Sequence, residues 1–377
     1  MFNLCASAGI SFINSAVEVW EKEPTLKEVD YTFYNSFKKL ETNNILNKIK
    51  KNNFIVSFGC NPGNVNIWTL YALEKINKQK DNLTYSTYAE LAKLMGLKTI
   101  HISEKDTQII NKPKRANEYV NSWASDSVSW YDEAFGFLEI SWGTHEKKIP
   151  DHHKPELSND YQIIIDNVGC ESFAQTYTPI SKNVLGMLIR HEEAYTICKE
   201  LTLVDSSDKI TYKPSVYYVY KPNDSAVAST MEARANNNNP QPTGRLMTDD
   251  IVEGRNELGV TLFFEDGDIY WIGSLLDIKE ARLIYDNQYD NIINATVLQV
   301  VAGYIGGIFH LIESIEQKNY KGLLLPEKLP VSQFIKRTRP MLGPFGLLKV
   351  TDWNINCEDP NNKWQYQDFL HNKSGKI

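Results

Sequence analysis

The chain has 377 residues, 42% of them apolar and 11% aromatic, which is enough to bury a substantial core and long enough for two domains. Its formal net charge of −7 and pI near 5.6 argue against a nucleic-acid partner, which would want a basic face, and lean slightly toward a cationic ligand. The cysteines (Cys5, Cys60, Cys170, Cys198, Cys357) are scattered, odd in number and without a Cys-x-x-Cys pair, so neither a disulfide framework nor a zinc knuckle is indicated and a reducing, cytoplasmic setting is expected.

In chain order, the stretch after Met1 lacks the basic and apolar regions of a secretory signal. Ile10 to Val17 has strand character, a polar helix is predicted over Thr32 to Lys51, and Ile55-Val-Ser-Phe58 is a second short apolar run. Strand, helix, strand in this order is the texture of a doubly wound parallel sheet. Asn61-Pro62-Gly63 then makes a turn where the carboxyl edge of such a sheet places its ligand site, and a helix is predicted over Asn64 to Lys78. From about Thr99 the texture changes to strands: Thr99–Ser103, Glu118–Ser122, Phe137–Trp142, Gln162–Asp166 and Ser215–Tyr220. Helices are predicted to interrupt them at Lys182–Glu200 and Ala226–Ala235. Ala235 to Gly244, rich in Asn and Pro, reads as a surface loop, and Gly259 to Ile272, broken by Asp266-Gly267, as a hairpin. A long helix over Ile292 to Ile315 is expected to return to the first domain. Its most apolar part, Ala295 to Ile312, carries Gln299, Tyr304 and His310, so a buried helix is expected rather than a membrane span.

Several segments together resemble bacterial homospermidine synthases, collinearly from about Gly9 to Trp353. They are Ala16-Val-Glu-Val-Trp20, Phe58-Gly-Cys-Asn-Pro-Gly63, His101-Ile-Ser-Glu-Lys-Asp-Thr-Gln108, Val120-Asn-Ser-Trp123, Ser141-Trp-Gly-Thr144, Arg190-His-Glu-Glu193, Asn256-Glu-Leu-Gly259 and Thr351-Asp-Trp353. The resemblance implies a saccharopine-dehydrogenase-like fold of class α/β: an incomplete doubly wound, Rossmann-like parallel sheet domain plus an α+β mixed-sheet catalytic domain. The expected division is residues 1–98 as the remnant of a dinucleotide-binding domain, 99–290 as the substrate and catalytic domain, and 291–377 as a C-terminal helix and tail returning to the first. It further implies bound NAD without net redox change, putrescine or another diamine as substrate, and a homodimer. An aminobutyl group is transferred between diamines, two putrescines giving homospermidine and ammonia through an imine and a Schiff base.

The family's roles carry over residue by residue. Trp123 matches a tryptophan that stabilises the iminium-like centre by cation–π contact, although a tryptophan taken blindly is more often core packing. Glu104 matches a carboxylate that handles the substrate ammonium. Glu133 matches a substrate glutamate if a two-residue insertion is placed between Trp123 and Trp142, and Glu18 matches an acidic residue near the diamine. Asn61 can orient an amine or the nicotinamide amide, with Pro62 and Gly63 on the cofactor side, although an Asx-Pro turn is the plainer explanation. His191 and Glu193, if on a strand, would share one face and move protons during imine chemistry. His152-His153 has no third ligand placed for it, so no metal is expected.

Two departures stand out. Asn256 replaces the family's Asp before Glu-Leu-Gly, removing a negative charge at a substrate-ammonium position; Glu253 or Glu257 are the candidates to compensate. No Gly-x-Gly-x-x-Gly loop occurs, so the chain taken as a whole polypeptide is expected to bind NAD poorly, or to need a separately encoded N-terminal fragment. Two rivals remain. A carboxy-polyamine or saccharopine-type dehydrogenase needs an arginine facing the pocket, from Arg115, Arg190, Arg245 or Arg255. A non-catalytic polyamine-binding protein or decayed paralogue would need neither.

Overall fold

Alternation of apolar and polar residues with period two builds the centre of the molecule. In strand β3, Ile100, Ile102 and Glu104 face one side and Thr99, His101 and Ser103 the other, and every one of them is buried. The structure is a computed structural model and describes residues 2–17, 28–42, 52–125, 127–284 and 292–371. Its strands in chain order are β1 (Phe12–Ile13), β2 (Asn53–Ile55), β3 (Leu97–Asp106), β4 (Ile109–Ile110), β5 (Glu118–Asn121), β6 (Phe137–Ser141), β7 (Gln162–Val168), β8 (Phe173–Thr178), β9 (Lys182–Ile189), β10 (Leu203–Val204), β11 (Ile210–Tyr212), β12 (Ser215–Lys221), β13 (Thr243–Leu246), β14 (Ile251–Glu253), β15 (Arg255–Phe264), β16 (Ile269–Asp277), β17 (Gly322–Leu324) and β18 (Phe345–Lys349).

The fold is mixed α/β. A large sheet runs β18-β16-β15-β3-β12-β6-β7, antiparallel except for β3 against β12, which are parallel over Thr99–Lys105 and Ser215–Lys221. β12 is forked: its start pairs with β6 at Ser141, and Tyr218–Tyr220 pair with the end of β9. A small all-parallel sheet, β1-β2-β17, joins two strands from the beginning of the chain to one that follows the long Ala295–Glu316 helix.

One face of the large sheet is covered by the Asn64–Gln79 and Ala295–Glu316 helices, and the other by β8 and the C-terminal Trp364, Tyr366 and Phe369. The long helix lies almost on the β2 turn, because a Cβ on Gly303 would stand 1.8 Å from the Gly59 carbonyl oxygen. Gly63 caps the Asn64–Gln79 helix at φ 129°, a backbone that only glycine adopts without strain. By length and composition Ala295–Glu316 could cross a membrane, yet Gln299, Gly303, Gly306 and Gly307 are packed inside while Phe309, Ile312 and Ile315 are exposed.

The helices at Asn64, Asp224 and Ala295 and the β15–β16 hairpin lie where the sequence predicts them. The Thr32–Lys51 helix is described over Phe33–Thr42, and residues 43–51 lie outside the described residues. The helix predicted over Lys182–Glu200 is corrected. Lys182–Ile189 is strand β9, held between β8 and β12, and only Glu192–Glu200 is helical.

Candidate active site

A cleft of about 890 Å³ opens where the carboxyl ends of β1, β2, β3 and β12 meet the Ala295–Glu316 helix. Glu104, near the end of β3, is 3% exposed and anchors it. Tyr218 donates its hydroxyl hydrogen to Oε2, the Asn256 amide donates to Oε1 at 2.8 Å, and Asn61 Nδ2 stands 3.4 Å from Oε2. Burial pushes the Glu104 carboxyl up to about 7 against these lowering bonds, so its ionisation falls within the physiological range.

The forked pairing of β12 positions the second group. β9 runs along the end of β12 as far as Ile189, opposite Tyr218, and the chain then leaves the sheet to begin the Glu192 helix. Arg190 is buried there against Glu139, with its guanidinium 4.7 Å from the Phe33 ring and 4.9 Å from that of Phe137. His191 is the N-cap, edge-on to Tyr218 at 5.1 Å. Its Nδ1 contacts Glu193 Oε2, and Nε2 stands 3.7 Å from Glu133 Oε1. Burial alone would lower the imidazole; the Glu193, Glu133 and Glu192 carboxylates prevail and push it up to about 10. His191 and Glu193 do not share a strand face: they meet across a helix cap, where the surrounding carboxylates hold His191 as an imidazolium at neutral pH.

Trp123 follows β5, half-buried, lining the cleft and meeting Trp130 edge-on at 6.5 Å. Asn61, Pro62, Glu104, Glu133 and His191 line the same cleft, with Glu193 buried behind His191. Gly63 is in the turn below, where its N–H donates to Asn66 Oδ1 at 2.8 Å and the next amide to the Gly59 carbonyl at 3.1 Å. Glu18 lies outside the described residues. Asn256 is fully buried at the back, its amide also donating to Gln299 Oε1 at 2.9 Å. Neither candidate compensates for the charge missing there: Glu257 accepts from Ser181, and Glu253 is exposed.

Sequence reasoning missed Glu192, Tyr218 and Tyr220, all of which line the cleft. Glu192 holds the backbone N–H of Val17 and the Ser57 hydroxyl, fixing the N-terminal wall. The signal for the tyrosines was their period-two spacing in a strand already predicted. Among the described residues, none of the four candidate arginines lines the cleft: Arg190 pairs with Glu139, Arg245 with Glu118 and Asp250, Arg255 with Asp277, and Arg115 is exposed. The site is built for a cation, and it combines a half-buried aromatic wall with a carboxyl and an imidazolium able to exchange protons.

No family model matches the chain. It is 27% identical over 399 residues to a homospermidine synthase of Mesorhizobium japonicum, covering 98% of this chain and 78% of that one. It is 28% identical over 391 residues to a homospermidine synthase of Blastochloris viridis, covering 98% and 79%. Among solved structures it is similar to the homospermidine synthase of Legionella pneumophila in complex with NAD, with TM-score 0.84 and 31% identity over 98% of this chain and 79% of the other.

Proposed function

Since the chain belongs to the homospermidine synthase family, we propose that it is an NAD-using transferase that makes homospermidine and ammonia from two molecules of putrescine. The observation that carries the reading is the convergence of Glu104, Glu133 and Glu192 with Trp123 in one cleft. An alkyl diamine is a dication whose ends need carboxylates and whose reacting carbon becomes iminium-like, which an aromatic face stabilises.

The reaction balances without net oxidation. A hydride and a proton leave one amine-bearing end of the first putrescine, giving an imine. The second putrescine adds through its neutral amine, ammonia departs, and the resulting Schiff base regains the hydride together with a proton. NAD, when bound, supplies the hydride acceptor and returns the hydride. The residues present fit its nicotinamide end: Asn14, Ser15 and Asn61 line the wall at the ends of β1 and β2, and Asn14 Oδ1 is buried with no hydrogen-bond partner, an acceptor suited to a carboxamide.

Glu104 holds the ammonium and takes its proton, its pKa near 7 matching that exchange. His191, charged and flanked by carboxylates, delivers a proton to the departing ammonia. Trp123 faces the cationic carbon–nitrogen centre. A homodimer and a cytoplasmic setting belong to the same proposal, on the strength of the family resemblance and the unpaired thiols, and light scattering reads the first.

The test incubates the purified chain, alone and with any separately encoded N-terminal fragment, with putrescine and NAD and follows homospermidine and ammonia by mass spectrometry. Both products in equal amounts, lost in Glu104→Gln, are expected. Net NADH formation without homospermidine would replace the reading with a dehydrogenase, and no turnover would overturn it.

A further inference from the structure

We propose that the hydroxyl of Tyr220 is a substrate contact, hydrogen-bonding the diamine nitrogen that Glu104 binds. The inference rests on the diamine reading above and adds a residue that no part of that reading used.

Tyr218 and Tyr220 are two apart on β12, so their side chains share the cleft face and their rings stack at 5.4 Å and 13°. The parallel register sets Tyr220 directly opposite Glu104 and Tyr218 opposite Ile102. The two phenols have unlike bonding despite this shared setting. Tyr218 gives its hydrogen to Glu104 Oε2, whereas the Tyr220 hydroxyl is buried and has no hydrogen-bond partner. The residue as a whole is only 2% exposed, yet it lines the cleft.

A buried hydroxyl without a partner is destabilising, because it has given up water and gained nothing. Such groups are rare in native structures and mark places where something else supplies the bond. Tyr220 has no freedom to find an internal partner. Its ring is held between Tyr218 and the edge of Trp130, at 5.9 Å and 82°, and Trp130 is itself fixed by an Nε1 hydrogen bond of 2.9 Å to Thr230. Trp130 in turn abuts Trp123. The phenol is thus set rigidly between the carboxylate assigned to the ammonium and the aromatic wall assigned to the reacting centre.

Burial, reinforced by the nearby Glu104, Asp106 and Glu133 carboxylates, keeps this phenol protonated. A neutral phenol can accept from an ammonium and donate to the lone pair of a free amine. That versatility suits a nitrogen that must pass between the two forms at one position, because the phenol keeps a hydrogen bond to it in either form without itself gaining or losing a proton.

The test compares Tyr220→Phe with Tyr218→Phe in the full chain, by calorimetric titration with putrescine, steady-state kinetics and thermal melting. Tyr220→Phe is expected to melt no lower than the parent, since it removes an unsatisfied group. Its putrescine Kd and KM should rise by roughly 10- to 150-fold, in the range of one hydrogen bond to a charged group. Tyr218→Phe should instead melt lower, because Glu104 loses its donor. Putrescine binding by Tyr220→Phe within twofold of the parent overturns the proposal and leaves the functional reading standing. A melting point lowered as far as that of Tyr218→Phe also overturns it, by making the residue structural. A parent that neither binds putrescine nor forms homospermidine sinks the functional reading, and this proposal with it.

Discussion

Glu104 carries a carboxyl that burial holds near neutrality, against the hydrogen bonds from Tyr218 and Asn256. A site that needs the ionised form therefore gains it as pH rises through about 7. The kcat/KM for putrescine should climb about tenfold per unit on the acid side of that value and flatten above it. Glu104→Gln should remove the limb and lower kcat/KM by roughly 100-fold or more, as expected for loss of a buried charged contact. His191 works with the opposite sign. Its folded-state pKa is raised from the ordinary 6.5 to about 10, so the stability it contributes is fully present below 6.5 and is lost as pH rises through about 10. His191→Gln should accordingly be less stable than the parent to urea at pH 6, with the difference vanishing by about pH 10.5; a constant gap across that range would show that the charge is not the cause.

Among the elements, the long helix is the one whose placement the cleft depends on, since Thr296 and Val300 form part of the cleft wall and Gly303 rests on the Gly59 carbonyl. Gly303→Ala has no flexible neighbour to displace. It should cost about 3 kcal/mol in urea unfolding and raise KM by shifting the wall. The helix itself was plain in the sequence, because its run of apolar residues is a local signal. β9 was not. Val184, Leu185, Met187 and Leu188 are good helix formers or neutral ones, and what makes them a strand is pairing with β8 and β12, far away in sequence. His191 and Glu193 meet at that junction, since the helix begins only after the strand has left the sheet.

At the scale of the whole molecule, the site is assembled from residues between Phe12 and Val300, so no short segment of the chain contains it. Glu104 and Asn61 were legible because each sits in a short polar motif oddly composed for scaffold, whereas Trp123 and His191 were legible through the family resemblance and the chemistry of their side chains. Tyr218, Tyr220 and Glu192 were not, because a strand of tyrosines and an acidic helix start are ordinary local chemistry and only the register beside β3 gives the tyrosines a role. The N-terminal segment is tied to the large sheet by the buried Arg190–Glu139 pair, which also holds the Tyr31 carbonyl and the Phe33 N–H. Arg190→Ala leaves Glu139 buried and uncompensated, and should destabilise by about 3–5 kcal/mol, measured by urea titration. A cleft walled by carboxylates, whose lining among the described residues carries His191 but no lysine or arginine, also draws ions it was not built for. Protonated laboratory buffers such as Tris are small organic cations with the same ammonium chemistry, so assays in Tris should give a diamine KM that climbs linearly with buffer concentration, and assays in phosphate should not.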